Sequence, residues 1–488
     1  MIPRLTHLRR TLTLLAVCSV LALTAGCVVV GPSRDSPDRT DPERTDRAPD
    51  EGNEVTAEKN LDILRKSINS YAIVDAERDP RLNIHLFGLP GAHSLSTATE
   101  TALLKTIRSA GGFGSHQAFS PVATPPSHRW EPTAFDSPTS ASSNVDGDGD
   151  GDGDGDGDGS AGAADVNVSN NIIAAGGRFL ISALTRQSPT TKTWAVLTDL
   201  ANDTTVHAQE MFTSEIDPAE VDVDEFGELT IDGEPVAPSD LTPQGTSVAE
   251  ALHTPLALPE GADVRDPDYS CALLPCVALT YDDGPGEPDV EDRLLMEAES
   301  AQVRLTYFLV GKRVAADPGT VKRISAAGHE VANHTYSHPR LNRTDSDTVK
   351  AEVKRTDKTL ETAVSKAQPL VRPPFGALDK SAASALDRPA ILWDVDTGDW
   401  KHKDSDRTIT AVRDNAEPGS IVLMHSIHPT TVNAAPGVFR TVADDGLYPV
   451  TVSQLFEGIG FEKGGSYFCR GYGDELCSTP EHPSVHKD

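Results

Sequence analysis

The residues best equipped for chemistry are two adjacent carboxylates, Asp282 and Asp283, in the segment Thr280-Tyr281-Asp282-Asp283-Gly284-Pro285. The apolar run Val277-Ala278-Leu279-Thr280-Tyr281 before them reads as a buried strand, and Gly284-Pro285 ends it. The aspartates therefore stand at a strand exit, where neighbouring side chains point different ways. One carboxylate can ligate a cation while the other faces the water that the cation holds. Taken alone, an acidic Gly-Pro turn fits an ordinary surface turn as well. The second feature is His334-Thr335-Tyr336-Ser337-His338, two imidazoles four residues apart after the strand-like Glu330-Val331-Ala332-Asn333. That spacing is expected to bring both rings to one face of a helical turn. The two histidines and one of the aspartates make a three-ligand set, which leaves a position open for water or substrate and suits a catalytic ion better than a closed structural one.

Three further segments supply what a hydrolysis needs beyond a metal. Arg372-Pro373-Pro374-Phe375-Gly376 is a stiff, extended turn whose arginine offers a planar fork to a carboxylate. Asp396-Thr397-Gly398-Asp399-Trp400 follows the apolar Ile391-Leu392-Trp393, again setting carboxylates at a strand exit. Ile421-Val422-Leu423-Met424-His425 is a buried-strand pattern ending in a histidine, and such a residue beside a cleft can act as a general acid near neutral pH. Each also has a purely structural explanation: a surface loop, a capped turn beside a core tryptophan, a satisfied core histidine.

In order and residue type these five motifs resemble the NodB-type polysaccharide deacetylases, carbohydrate esterase family four, across residues 270–460. The resemblance implies a distorted, incomplete (β/α) barrel and metal-dependent hydrolytic removal of acetyl groups from amino sugars. It implies Asp282 as catalytic base, Asp283, His334 and His338 as ligands of one divalent metal ion, and Arg372 as the partner that orients the base. Zinc is the first choice of ion, with cobalt or another divalent metal as alternatives. The backbone N–H of Phe375 would help hold the oxyanion, Leu423 would shape the acetyl pocket with Trp400 beside it, Asp399 would tune the acid, and His425 would be that acid. Two positions depart from the usual pattern: Tyr281 stands where phenylalanine is common, and Ser426 follows the acid histidine where aspartate is frequent. The expected substrate is a cell-wall polysaccharide, peptidoglycan first. Chitin or acetylated xylan comes second, and a non-catalytic carbohydrate-binding lipoprotein is the alternative of a different class.

The elements that must position these groups follow from patterning. Strand-like runs at 277–281, 305–310, 330–333, 391–394 and 421–424 are separated by helical stretches such as 349–363, which argues an α/β fold with a parallel sheet closed or nearly closed into a barrel. In such folds functional groups gather at the carboxyl ends of strands, where Asp282, Asp283, His334, Asp399 and His425 lie in sequence. Residues 60–255 read as a smaller α+β domain without a catalytic constellation, with helices around Leu61–Arg65 and Thr101–Ile107 and strands around Arg178–Leu184, Trp194–Leu197 and Leu229–Ile231. An Asp/Gly-rich insertion at about 130–165 interrupts it. That tract is expected to be disordered, and because no frame within it has a glutamate at the twelfth position it does not read as a calcium loop.

Residues 1–27 resemble a bacterial lipoprotein signal, with Arg4, Arg9 and Arg10 before an apolar stretch from Leu12 to Ala25 and Cys27 as the lipidated residue. The stretch is shorter than the roughly 20 residues a spanning helix needs. Residues 28–59, rich in Pro, Asp, Glu and Arg, are expected to be a flexible tether. These features predict an exported, monomeric enzyme held by lipid to the outer face of the cytoplasmic membrane, facing the wall. In that compartment Cys271, Cys276, Cys469 and Cys477 are expected to form disulfides. Of the three possible pairings the local ones, 271 with 276 and 469 with 477, are favoured; the second would lie in a C-terminal tail, 461–488. A net charge of −31 argues against nucleic-acid binding, which requires basic surface.

Overall fold

A computed structural model describes residues 51–75, 81–111, 120–121, 165–187, 190–224, 226–261, 265–365, 367–471, 476–482 and 485. The signal segment, Cys27, the tether up to residue 50 and nearly all of the Asp/Gly insertion lie outside the described residues. From residue 51 the expected tether is already helical: the helix Glu51–Arg65 takes in its last nine positions. No described helix is long and apolar enough to cross a membrane.

The N-terminal region is β-rich. Seven strands form one sheet in the spatial order Ser120–Pro121, Asn69–Asp75, Leu82–Gly88, Val166–Gly176, Phe179–Arg186, Lys192–Asp199, Thr204–His207. Every neighbour pairing is antiparallel except that of Leu82–Gly88 with Val166–Gly176. Helix His93–Ser109 buries Leu95, Leu103 and Ile107, residues four apart or a multiple of four, so they share a face. A further helix, Pro243–Leu252, starts at Pro243 behind a Thr242 cap whose hydroxyl accepts from Gly245 N at 3.1 Å.

The C-terminal region is an α/β unit. Its strands pair in parallel in the order Glu330–Asn333, Thr306–Leu309, Cys276–Asp282, Ile421–His425, Val395–Asp396, and Tyr448–Val450 pairs with the start of Cys276–Asp282. Parallel bridges from Asn333 to Val371 and from Val371 to Ala390 carry the array onward to strand Ala390–Ile391. Cys276–Asp282 is buried at every position, as its near-continuous apolar sequence requires of a parallel strand covered on both faces. Its outer side chains, Val277, Leu279 and Tyr281, pack into one core with Leu294 and Ala298 from the helix Pro288–Ser300 and with Val432 and Val438 from the helix Pro429–Asp444. The predicted strand at 391–394 is shorter than expected: it ends at Ile391, and pairing resumes at Val395.

Strand pairing continues beyond residue 460: Ser466–Tyr467 pairs in parallel with Ala390–Ile391, Cys469–Arg470 pairs with Leu476–Cys477, and Arg470 is buried with its guanidinium donating to Leu455 O at 2.6 Å. The two regions also share a core. Leu82, Ile84, Leu103 and Ile107 from the first belong to one buried cluster with Tyr269, Leu273, Ala278, Phe308, Ala332 and Ile391. Tyr269 ties the regions by a hydrogen bond from its hydroxyl to Phe87 O at 2.5 Å. Both local disulfides are present, Cys271–Cys276 and Cys469–Cys477. Because Ile84 is fully buried in the shared cluster, Ile84→Ala is expected to cost about 2–5 kcal/mol and to lower a single calorimetric transition of the whole chain. Two resolved transitions with only one shifted would contradict the shared core.

Candidate active and metal site

Strand register sets the site. In the pairing of Cys276–Asp282 with Ile421–His425, Asp282 lies directly beside His425 and Thr280 beside Leu423. On the other edge Asp282 is level with Phe308, and Leu309 is level with Asn333, the residue before His334. Asp282, His334 and His425 therefore converge at the carboxyl ends of neighbouring strands, within a few multiples of the roughly 4.8 Å strand spacing.

Asp283 Oδ1 is 3.0 Å from His338 Nε2 and 3.5 Å from His334 Nε2. Ligand atoms around a tetrahedral ion with bonds of ~2.0–2.1 Å stand about 3.3–3.4 Å apart, so both contacts of Asp283 are near coordination spacing, and all three ligand atoms lie within 4.8 Å of one another. His334 Nδ1 lies 2.7 Å from the backbone oxygen of Arg372 and can only donate to it, which leaves the Nε2 lone pair facing Asp283. Two imidazole nitrogens and one carboxylate oxygen suit a borderline divalent ion. The only other described cluster of this kind is Cys469, Cys477 and His482, whose two sulfurs are bonded to each other.

The histidines do not meet by helical spacing, contrary to the expectation. After Asn333 the chain runs into an irregular loop in which Thr335 and His338 have φ of 62° and 63°. These left-handed turns, each costing on the order of 1–3 kcal/mol, fold the loop back so that His338 faces the same point as His334. Hydrogen bonds hold it there. Asn333 Oδ1 accepts from Thr335 N at 2.8 Å, Thr335 Oγ1 accepts from His338 N at 3.2 Å, and Glu352 accepts from both Tyr336 N and Ser337 N, at 2.8 and 2.7 Å. Asp283 and Phe375 also sit at positive φ, 69° and 62°, so four strained backbone positions meet at the site.

Arg372 is wholly buried. Its Nη1 donates to Asp282 Oδ1 at 2.9 Å and to Thr280 Oγ1 at 2.6 Å, while Nε and Nη2 donate to the carbonyls of Ile391 and Leu392. The fork is thus divided between the strand Cys276–Asp282 and the end of Ala390–Ile391, and is not bidentate on the carboxylate. Its planar face lies against Phe308, 4.2 Å from the ring centroid. Asp282 Oδ2 points the other way, 3.7 Å from His334 Nε2.

Across the strand, Asp399 holds His425 with both oxygens: Oδ1 is 2.9 Å from Nδ1, and Oδ2 accepts the backbone N–H of His425 at 2.8 Å and Thr431 Oγ1 at 2.7 Å. Burial disfavours charge on His425, but the Asp399 hydrogen bond and charge, joined by Asp282 and Asp283, outweigh it and raise its pKa to about 9. Burial likewise works against the Asp399 carboxylate, yet His425 and Thr431 hold its pKa below the usual range. The result is an imidazolium with Nδ1 committed and Nε2 free. Phe375 and Trp400 are half-exposed; the Phe375 ring meets His338 edge-on at 4.6 Å, and Trp400 lies in the short helix Asp399–His402. Leu423 is buried beside Thr280.

Sequence reasoning missed Thr280, Asn333, Glu352 and Thr431. Thr280 had a signal, since it shares a strand face with Asp282 at i, i+2; Asn333 ends a strand and Glu352 and Thr431 lie on helices, and no period announces the partners they reach. Replacing Arg372 by Met should leave the buried Asp282 without its cation and cost roughly 3–5 kcal/mol in urea unfolding. A loss below about 1 kcal/mol, the value of an exposed pair, would show that Arg372 does not carry this charge.

A family model described as "Polysaccharide deacetylase" matches residues 272–389. The chain is similar to the peptidoglycan-N-acetylglucosamine deacetylase PgdA of Listeria monocytogenes, 34% identical over 192 residues, or 39% of this chain and 41% of that one. A peptidoglycan-N-acetylglucosamine deacetylase of Bacillus cereus is 32% identical over 188 residues, 37% of this chain and 68% of that one. A chitooligosaccharide deacetylase of Bradyrhizobium is 37% identical over 188 residues, covering 37% and 80% respectively. The chain thus spans about two fifths of the Listeria relative's length.

Proposed function

Since the chain belongs to the polysaccharide deacetylase family, we propose that it hydrolyses the N-acetyl groups of amino sugars in a cell-wall polysaccharide, with peptidoglycan as the substrate. The observation that supports this reading is that Asp282 stands between Asp283, His334 and His338, whose ligand atoms lie within 4.8 Å of one another, and, one strand over, a histidine hydrogen-bonded to Asp399. In this reading the curled parallel array is a distorted, incomplete barrel whose open rim holds the substrate.

An acetamide is a poor electrophile with a poor leaving group, so its hydrolysis needs an activated water, a stabilised oxyanion and a proton for nitrogen. An ion held by Asp283, His334 and His338, zinc by preference, would polarise the carbonyl and bring the pKa of water from about 15.7 towards about 7. Asp282, fixed through Oδ1 by Arg372, takes a proton from the attacking water with Oδ2. The Phe375 backbone N–H helps hold the tetrahedral oxyanion. His425 gives its Nε2 proton to the departing amine as the carbon–nitrogen bond breaks, leaving acetate and a free amino sugar. Leu423 borders the acetyl methyl, and the half-exposed rings of Phe375 and Trp400 offer apolar faces to the sugar.

The relatives' names support peptidoglycan, and the chito-oligosaccharide relative makes chitin oligomers the second reading. The apolar run before Cys27 supports export and lipid attachment facing the wall. Two measurements test the proposal. Digestion of purified peptidoglycan after incubation with the metal-loaded protein should yield muropeptides lighter by an acetyl group; acetate from chitin oligomers alone would move the substrate to the second reading, and sugar binding without acetate from either would make this a binding protein. The charge on His425 is present below its pKa and lost above it, so the rate should fall as pH rises through that titration, which in the metal-free protein centres on about 9 and which a bound dication lowers. Asp399→Asn removes the carboxylate that raises it and should move the falling limb to lower pH. An unmoved limb would exclude His425 as the acid.

A further inference from the structure

Behind the acid histidine lies a buried carboxylate that the mechanism above does not use. Glu291, in the first turn of the helix Pro288–Ser300, has no solvent exposure. Its Oε1 accepts two hydrogen bonds from opposite sides of the site: Gly286 N at 2.7 Å and Ser426 Oγ at 2.5 Å. Gly286 closes the turn that follows Asp282 and Asp283. Ser426 is the residue after His425.

The packing around this contact leaves no slack. A Cβ at Gly284 would stand 3.1 Å from Ser426 Oγ and 3.4 Å from Glu291 Oε1, and one at Gly286 would stand 3.1 Å from Ser426 O and 3.3 Å from Glu291 Oε1. Ser426 is itself fully buried, so its hydroxyl has no water to turn to. Both departures from the family pattern bear on this carboxylate. Ser426 stands where an aspartate was expected and bonds Glu291 directly. Tyr281 stands where phenylalanine was expected, is fully buried, and burial raises its pKa, with the charges of Asp399 and Glu291 adding to the effect. A carboxylate is therefore present beside position 426, but it arrives from the neighbouring helix.

We propose that Glu291 is a positioning residue for the acid half of the site: its carboxylate takes the place of an aspartate at 426, tying the turn after Asp283 to the segment that carries His425. The tie joins the two catalytic strand ends through one oxygen atom. Releasing it lets the His425 segment shift relative to Asp282 while the Asp399–His425 bond and the metal ligands stay in place. The effect on turnover rests on the deacetylase reading; the tie itself does not.

Segment-resolved hydrogen exchange reads the tie without turnover. Glu291→Ala should speed exchange in both 284–287 and 425–428, whereas Glu291→Gln, which keeps an acceptor oxygen, should leave both near the parent. Unchanged exchange at either segment in Glu291→Ala would overturn the proposal. With a parent shown to release acetate, Glu291→Ala should lower kcat by roughly ten- to hundredfold at unchanged KM and unchanged zinc affinity. Adding Ser426→Asp to it should restore most of that loss by returning a carboxylate to the vacated space. A double variant as slow as the single one would overturn the proposal, while a parent that releases no acetate would sink the deacetylase reading and leave the exchange result to decide the tie. Should Glu291→Ala fail to fold, Ser426→Ala cuts one arm only and is expected to speed exchange in the same two segments, with no change there counting against the tie.

Discussion

The site depends on Arg372, which places two functional groups at once. Its side chain fixes Asp282 through Oδ1, and its backbone oxygen fixes the tautomer of His334 through Nδ1. The guanidinium has no exposure to water, so its charge is tolerable only because Asp282, Thr280 and two carbonyls surround it. Thr280 passes the constraint onward by donating to Val422 O at 2.6 Å, on the strand that ends in His425. Asp282, His334 and the strand that ends in His425 are thus linked through a single buried cation, and shifting any of the strands by one register position would break it.

The remaining architecture keeps this arrangement rigid. The β-rich N-terminal region contributes Leu82, Ile84, Leu103 and Ile107 to the cluster that also holds Cys276 and Ala278, at the amino-terminal end of the Asp282 strand. Asp282 and its partners stand at the opposite end of that strand. The first region thereby supports the array from the end away from the chemistry, which gives it a physical role although it carries no catalytic constellation. Backbone strain also gathers at the functional end, where Asp283, Thr335, His338 and Phe375 all hold positive φ.

Much of this was legible in the sequence, for identifiable reasons. Strand exits announce themselves by a short apolar run that stops at a carboxylate or a histidine, and Cys276–Asp282, Glu330–Asn333 and Ile421–His425 lie where that pattern put them. The pairing of His334 with His338 was readable from residue types, but its geometry was not: four-residue spacing suggests a helix, whereas left-handed φ at Thr335 and His338 does the work, and non-glycine residues give no local sign of that. The short pairing of Ser466–Tyr467 with Ala390–Ile391 was hidden because two-residue strands have no period. The contact of Glu291 with Ser426 spans 135 residues and follows only from how a helix settles against a strand end.

The central claim is that Asp283, His334 and His338 hold one divalent ion beside Asp282. X-ray absorption at the metal edge of the zinc-loaded protein tests it most directly. The account predicts one ion per chain with a first shell of nitrogen and oxygen at about 2.0–2.1 Å and an imidazole signature from two histidines. A shell containing sulfur at about 2.3 Å, or a protein that takes up no ion, would contradict it.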